Sequence, residues 1–567
     1  MPSKLAKYFL DNLNLMKKLF LTLAFFEIFF STDLLAQPIN KKTGFTHADT
    51  LRGSITPERA WWDVLRYDVA VTPDYNTKSI KGTTRIKYQI IQEQHTDYLQ
   101  IDLQQPLKID SIFYDDKLYI NYPGKPYYND GNAWFIPLPT AAKNTTHSIS
   151  IVYHGTPKAA AKPPWDGGWV WTRDEQGRPW MSVACQGLGA SVWYPCKDHQ
   201  SDEPQDGASL TMIVPDSLVA VANGKLKTKN SRNGMTSYTW EVVNPINNYS
   251  IIPYIGKYVN WNETIEGEKG KLNSSYWVLD YNLNKAKNHF KQVPQTIKAF
   301  EHWFGPYPFY EDDFKLVDAP YLGMEHQSAV AYGNQYINGY LGTDLSGTGW
   351  GLKWDYIIVH ETGHEWFGNN ITTNDVADMW VHEGFTDYTE VLFTEFYYGK
   401  EAGDSYVQGL RKNIKNDKPI IGPYGVNQEG STDMYPKGSN IVHIVRQLVN
   451  NDDRFRSILR GLNKEFYHQT ITSKQVEEYI SKNAGKDLRK FFDQYLRTAE
   501  IPVLEMKKEK DELVFRWINC IDGFDMAVKL TNGTWLQPTT QWTKMKFNED
   551  LKNLTVDKNF YVRTKKG

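Results

Sequence analysis

The chain has 567 residues, 41% of them hydrophobic and 14% aromatic, and its 64 basic and 66 acidic side chains leave a formal net charge of −2. That length and apolar content suit about two to four globular domains. The near balance of charge excludes the global basic field that nucleic acid or an anionic membrane would select. Three cysteines, Cys185, Cys196 and Cys520, are too few for a disulfide framework. Cys185 and Cys196 are close enough in sequence to pair, and small buried thiols are the plainer reading.

Residues 1–36 read as an export signal. Met16-Lys17-Lys18 supplies a basic start, residues 19–30 are apolar apart from Thr22 and Glu27, and Leu34-Leu35-Ala36 offers a cleavage site before Gln37. Translation is expected to begin at Met16, because residues 1–15 carry Lys, Asp and Asn ahead of that pattern. The expected location is periplasmic or extracellular, with no stable membrane span, since the apolar run is short and interrupted. Residues 37–60 read as a linker.

Over residues 61–262, short alternating runs predict an antiparallel β domain. Leu65, Tyr67, Val69 and Val71 alternate, as do residues 83–90, 148–153 and 209–214. Asn223-Gly224 and Asn233-Gly234 read as hairpin turns. Trp165, Trp169, Trp171 and Trp180 are read as packing rather than as a carbohydrate platform. Residues 263–500 change period and form a mainly helical catalytic domain, with helices expected over 285–304, 353–367, 381–398, 403–413, 439–450 and 475–481. Two long irregular stretches, 339–351 and 416–438, are of the kind that carries function. Residues 501–567 return to short strands, with a turn at Thr531-Asn532-Gly533, and predict a small β sandwich. The expected fold class is multidomain α+β.

The segment that says most about chemistry is His360-Glu361-Thr362-Gly363-His364, followed by Glu383 in Trp380-Val381-His382-Glu383-Gly384-Phe385. On a helix, residues four apart differ by about 40° and roughly 6 Å of rise, so both imidazoles leave one face. Two imidazoles and a carboxylate suit one Zn²⁺ per chain, with the fourth position open to water or substrate. Glu361 sits about 60° around the helix from His364 and can act as base on that water without being a ligand. Ile357, Ile358, Trp366 and Phe367 make the helix apolar on most sides. Unpaired histidines buried there beside a glutamate would be costly, and a metal removes that cost. Asp387 and Glu390, one and two turns after Glu383, can each accept the second N–H of a zinc histidine. His382 points about 100° away from the ligand and is read as structural.

With Glu383 joined to the HExxH motif, the chain resembles the gluzincin zinc aminopeptidases, the family of aminopeptidase N and the leukotriene-forming epoxide hydrolase. Leu322-Gly323-Met324-Glu325-His326 stands where the family carries GxMEN, and Tyr435-Pro436-Lys437-Gly438 resembles the segment whose tyrosine steadies the tetrahedral intermediate. Gln186, in Gln186-Gly187-Leu188, matches a substrate-amine contact. The resemblance implies a saddle-like β domain, a thermolysin-like catalytic domain and a small β domain. It implies that Glu325 and Gln186 bind the α-amine of a peptide with a free N-terminus, that Gly323, Met324 and His326 adjoin the substrate, that Tyr435 stabilises the oxyanion, and that Glu390 backs a zinc ligand. The departures are His326 for the usual Asn, Leu322 for the first Gly, and no counterpart of the large helical C-terminal domain that many members carry. The expected activity is that of an exported zinc aminopeptidase. The alternatives are an epoxide hydrolase or endopeptidase on the same scaffold, or a peptidase-like binding protein without turnover. No oligomeric state is implied.

Overall fold

The computed structural model describes residues 44–119, 125–549 and 554–567. The export signal expected in residues 1–36 lies outside the described residues. The linker expected over residues 37–60 is, from residue 44 on, a packed segment in which helices His47–Gly53 and Pro57–Ala60 precede the first strand. Thr46 caps the first helix by accepting from Asp49 N, and Asp49 reaches back to Thr46 N at 2.8 Å, closing a capping box. Arg59, fully buried, donates to the carbonyls of Leu51, Arg52 and Ser54 at 2.8, 2.8 and 3.0 Å. Carbonyls at the end of that helix, which would otherwise lack donors, are thereby satisfied.

The β domain is built on an eight-stranded sheet. Trp62–Asp74 pairs antiparallel with Ser79–Ile90, which pairs antiparallel with Thr146–Gly155. One pairing departs from the antiparallel expectation, since Trp62–Asp74 runs parallel to Ala208–Pro215. Alternation sends Tyr67, Val69, Val71, Ile86, Tyr88, Ile149, Ile151 and Tyr153 to one buried face. Trp169 is buried in this core and stacks on Trp171 at 5.0 Å, as packing requires. All three cysteines are free, and Cys185 donates its thiol to the Tyr249 carbonyl at 3.4 Å.

Of the two Asn-Gly turns, Asn233-Gly234 joins paired strands, with φ of 53° and 77° at its two residues. Asn223-Gly224 does not make a hairpin, because the strands on either side, Val219–Val221 and Lys225–Arg232, belong to different sheets. It serves instead as a junction. Asn223 donates to the Gln327 carbonyl at 2.7 Å, and Gly224 N donates to Ser328 Oγ at 2.9 Å, tying the β domain to the segment just after Glu325.

The catalytic half opens with a five-stranded sheet whose first strand, Tyr258–Gly267, runs across the boundary expected at residue 262. That strand lies at one edge of the sheet and Gly323–Met324 at the other. The helix expected over 285–304 is two, Leu283–His289 and Gln292–Phe304, and the one expected over 353–367 is the shorter Tyr356–Gly363. Asp355 caps the latter by accepting from Ile358 N at 3.1 Å. Helices Asp452–Glu465 and Arg489–Arg497 are additional to those expected. The C-terminal strands form a four-stranded and a two-stranded sheet. Their core residues Leu504, Met506, Phe515 and Trp517 are continuous with the helical core, so this domain does not bury a core of its own.

Beside Tyr356–Gly363, two further helices set the site: Trp380–Tyr398, which carries Glu383, and Pro436–Val449, which follows Tyr435. They touch glycine to glycine. A Cβ on Gly438 would lie 2.8 Å from the Cα of Gly384, so neither position has room for a side chain. A Gly438→Ala variant is expected to lose roughly 1–3 kcal/mol of stability, read as a lower denaturant midpoint. An unchanged midpoint would show that the helices can part without cost.

Candidate metal centre

Three donor atoms converge in the interior. His360 lies inside the helix Tyr356–Gly363, and His364 stands at its C-cap with φ −63° and ψ −19°, so the four-residue spacing still places both rings on one face. Their Nε2 atoms are 3.3 Å apart, and Glu383 Oε2 lies 3.7 and 3.3 Å from those of His360 and His364. A tetrahedral ion with ligands at about 2.0–2.1 Å separates neighbouring donors by about 3.3 Å. The triangle has the size of a zinc site.

Its hydrogen bonding points the same way. His360 Nδ1 meets Glu390 Oε1 at 2.7 Å, and His364 Nδ1 meets the Phe367 carbonyl at 2.9 Å. An acceptor at each Nδ1 fixes the proton there and leaves a lone pair on each Nε2. Glu383 Oε2 is buried with no hydrogen-bond donor. Three lone pairs facing one another in a buried site are repulsive unless a cation lies between them. The donor chemistry, two imidazoles and a carboxylate, fits zinc.

Glu390 and Asp387 part company here. Glu390 accepts from His360 and, through its other oxygen, from the Tyr406 hydroxyl at 2.7 Å. Asp387 is 3.9 Å from His360 Nδ1, beyond hydrogen-bond range. The phenol of Tyr356 stacks on the His360 ring at 5.0 Å and adds to its fixation.

Around the triangle stand groups that can act on a substrate. Burial is the main influence that raises the Glu361 carboxyl to about 7, reinforced by Glu325 and Glu383 and opposed by His360 and His364. A Cβ on Gly323 would come within 2.9 Å of Glu361 Oε1, so that glycine makes room for the carboxylate. The ring of Tyr435 lies 6.2 Å from that of His360. Burial, then Glu383, Glu429 and Glu325, push its phenol well above the usual range, so it stays a donor. Glu325 is buried, and its Oε1 accepts from Gln186 Nε2 at 2.6 Å and from the Tyr249 hydroxyl at 2.9 Å. Burial raises the Glu325 carboxyl, and the charges it senses are those of His364 and Glu383, so it faces the same space.

Two expected substrate neighbours are packed into the interior. His326 has no exposed surface, its Nδ1 lies 2.7 Å from the Tyr254 hydroxyl, and burial lowers its pKa to about 3. The ring is enclosed in the interior beside Tyr254. Met324 is buried and joins the β-domain core, while Gly323 lines the site beside Glu361. His382 accepts from Thr373 N at 2.9 Å and is structural, as its direction on the helix implies. Sequence reasoning missed Tyr249, Asn369 and Glu429. Tyr249 lies in a three-residue turn, Asn248–Ser250, without periodicity. Asn369, which donates to the Glu325 carbonyl at 2.7 Å, follows closely on the zinc motif and was within reach of attention to its flank. Glu429 lies in the irregular stretch 416–438.

Comparison with known proteins is consistent with this geometry. The model described as the peptidase M1 N-terminal domain matches residues 64–249, and the peptidase family M1 domain matches residues 288–495. Aminopeptidase B of Mus musculus is 24% identical over 406 residues, covering 65% of this chain and 59% of that protein. Leukotriene A-4 hydrolase of Xenopus laevis is 23% identical over 382 residues, 60% of this chain and 59% of that one. Tricorn protease-interacting factor F2 of Thermoplasma volcanium is 21% identical over 347 residues, 59% of this chain and 42% of that one. The chain thus spans about half the length of the curated relatives it matches. Among solved structures, an M1 zinc metallopeptidase from Deinococcus radiodurans superposes with a TM-score of 0.65 at 19% identity, over 78% of this chain and 95% of that one. Legionella pneumophila aminopeptidase A gives 0.72 at 16% identity, over 89% and 60%. At such identities the likeness is one of fold.

Replacing Glu383 by Gln is expected to abolish tight zinc binding, whereas Glu390→Gln, which leaves all three donors in place, should weaken it by roughly 10- to 100-fold. Metal content after dialysis against a competing chelator separates these outcomes. Equal retention in both variants would remove Glu383 from the ligand set.

Proposed function

Because the chain belongs to peptidase family M1, we propose that it is a zinc aminopeptidase that removes N-terminal residues from peptides. The observation that carries this reading is the buried Glu325 carboxylate, braced by Gln186 and Tyr249 and facing the same space as His364 and Glu383. A fixed anion at that place pairs with the ammonium of a peptide's first residue. An internal peptide bond lacks that charge, and selectivity for chain ends follows.

Zinc held by His360, His364 and Glu383 would supply Lewis acidity, polarising the scissile carbonyl and making water more acidic. Glu361 takes a proton from the attacking water and returns it to the leaving amine, a task suited to a carboxyl whose pKa lies near 7. Tyr435, kept protonated by its surroundings, donates to the oxyanion that develops on the carbonyl. Glu390 holds the His360 ring, and the Phe367 carbonyl holds that of His364, so neither has to reorient during turnover.

Export is a further part of the proposal, supported by the Met16-Lys17-Lys18 start, the apolar residues 19–30 and Leu34-Leu35-Ala36. Recovery of protein whose N-terminus is Gln37 would support it. An intact N-terminus on protein retained in the cytoplasm would not.

The reading is tested with paired aminoacyl arylamides, one with a free amine and one N-acetylated. Glu361→Gln is expected to retain zinc and lose nearly all hydrolysis; substantial residual turnover would mean that another base operates. Glu325→Ala should depress the free-amine substrate far more than the blocked one, and equal effects would remove its assigned role. Tyr435→Phe should lower kcat by about 10²–10³ with little change in KM. A change confined to KM would contradict an oxyanion contact.

A further inference from the structure

Residues 44–60 lie ahead of the family-matched stretch, which begins at residue 64. They nonetheless reach the amine end of the site. Arg52, in the last turn of the helix His47–Gly53, donates through Nη1 to the Gly187 carbonyl at 2.5 Å and through Nη2 to the Gln186 carbonyl at 3.1 Å, while its Nε lies 3.4 Å from Asp198 Oδ1. The turn curls around this guanidinium. Gly189 N donates back to the Cys185 carbonyl at 2.6 Å, and Gly189 adopts φ 106°. A Cβ on Gly189 would fall 2.7 Å from Arg52 Nε and 2.0 Å from Asp198 Oδ2. The next carbonyl, that of Leu188, accepts from Gln104 Nε2 at 2.8 Å. Three successive carbonyls are thus held by side chains on one flank of the turn, and the Gln186 side chain leaves to meet Glu325 at 2.6 Å.

The same helix also grips the catalytic half. Asn427 N donates to the Asp49 carbonyl at 2.9 Å, and Asn427 Nδ2 donates to the Gly187 carbonyl at 3.3 Å. Gly53 permits this approach, because a Cβ there would lie 2.2 Å from Asn427 N. Asn427 belongs to the irregular stretch 416–438 that contains Tyr435. One short helix is therefore tied to the loop that aims Gln186 and to the loop that leads to Tyr435. Arginine suits the task, since its planar fork of donors satisfies two consecutive carbonyls at once and stays charged, which a lysine cannot reproduce.

We propose that residues 44–54 form a clasp in which Arg52 fixes the Gln186 turn and so sets the affinity of the site for the substrate's ammonium. Arg52 touches no substrate and is a positioning residue acting through Gln186. The inference rests on the aminopeptidase reading and extends it to a segment outside the family-matched stretch.

The test is a double-mutant cycle on the zinc-loaded full chain, comparing Arg52→Ala, Gln186→Ala and the double variant with a free-amine aminoacyl arylamide. Each single change is expected to raise KM by about tenfold with kcat little changed. The double variant should be no worse than Gln186→Ala alone, and Arg52→Lys should recover only part of the loss. Losses that add in the double variant, or an Arg52→Ala effect on kcat and thermal stability with KM unchanged, would overturn the clasp. Should Arg52→Ala not fold, Arg52→Gln carries the same cycle with the same two readings. A parent protein that does not distinguish free-amine from N-acetylated substrates would overturn the aminopeptidase reading together with the clasp. A parent that does distinguish them, with an additive cycle, overturns the clasp alone.

Discussion

Three unshared electron pairs, two on imidazole nitrogens and one on a carboxylate, point at a common centre in the interior, and the rest of the site is arranged to keep them there. Such a cluster is unfavourable without a cation, because each donor has given up water and gained no hydrogen bond at that atom. The cost is imposed by groups one step further out. Glu390 and the Phe367 carbonyl hold the imidazole protons on the far side of each ring, and Tyr406 in turn holds Glu390. The glycine contact at Gly384 and Gly438 sets the spacing of the helices that bring Glu383 and Tyr435 to the same place. Fold and metal chemistry thus meet in a few close approaches that larger side chains would prevent.

Acids of the same kind play different parts because their surroundings differ. Burial works to raise the Glu383 carboxyl, yet His364 and His360 hold it below the usual range, as befits a ligand. Glu361 has no such dominance of positive charge and is raised to about 7, where it can both take and release a proton. Glu325, whose carboxyl burial raises, accepts from two neutral donors and is placed to meet a cation. Glu390 accepts from a histidine and a tyrosine and is fully enclosed, so its work is orientation. Division of labour by environment is what an acid–base site requires, since identical carboxylates in identical surroundings would compete for one role.

Much of this was legible in the sequence where chemistry follows from spacing along one helix. His360 and His364 four apart, with Glu361 between them, dictate a face and a base before any coordinates exist. The partner from a second helix, Glu383, was legible from its local motif. Of the groups that brace the amine end, Asn369 stands close after the zinc motif, whereas Tyr249 arrives through tertiary folding and carries no periodic mark. His326 shows the limit of reading by motif, since a residue three positions beyond Gly323 turns into the interior against Tyr254. Asn223-Gly224 has a hairpin's sequence, but its partners lie across a domain boundary at Gln327 and Ser328. The helix Asp452–Glu465 was in plain view, with Phe455, Ile458, Leu459 and Leu462 at helical spacing on its buried face. Residues 44–60 read as a linker because their hold on the β domain comes from Arg52 and Arg59 on the distant carbonyls of Gly187 and Asp198, which polar composition does not reveal.

The central claim is that the converging donors hold a catalytic metal ion. The most direct measurement is metal content on the purified full chain, taken with hydrolysis of a free-amine aminoacyl arylamide before chelation, after it, and after zinc is returned. About one zinc per chain, activity lost on removal and activity regained on restoration are the expected result. Protein that contains no metal and hydrolyses the substrate at full rate would contradict it.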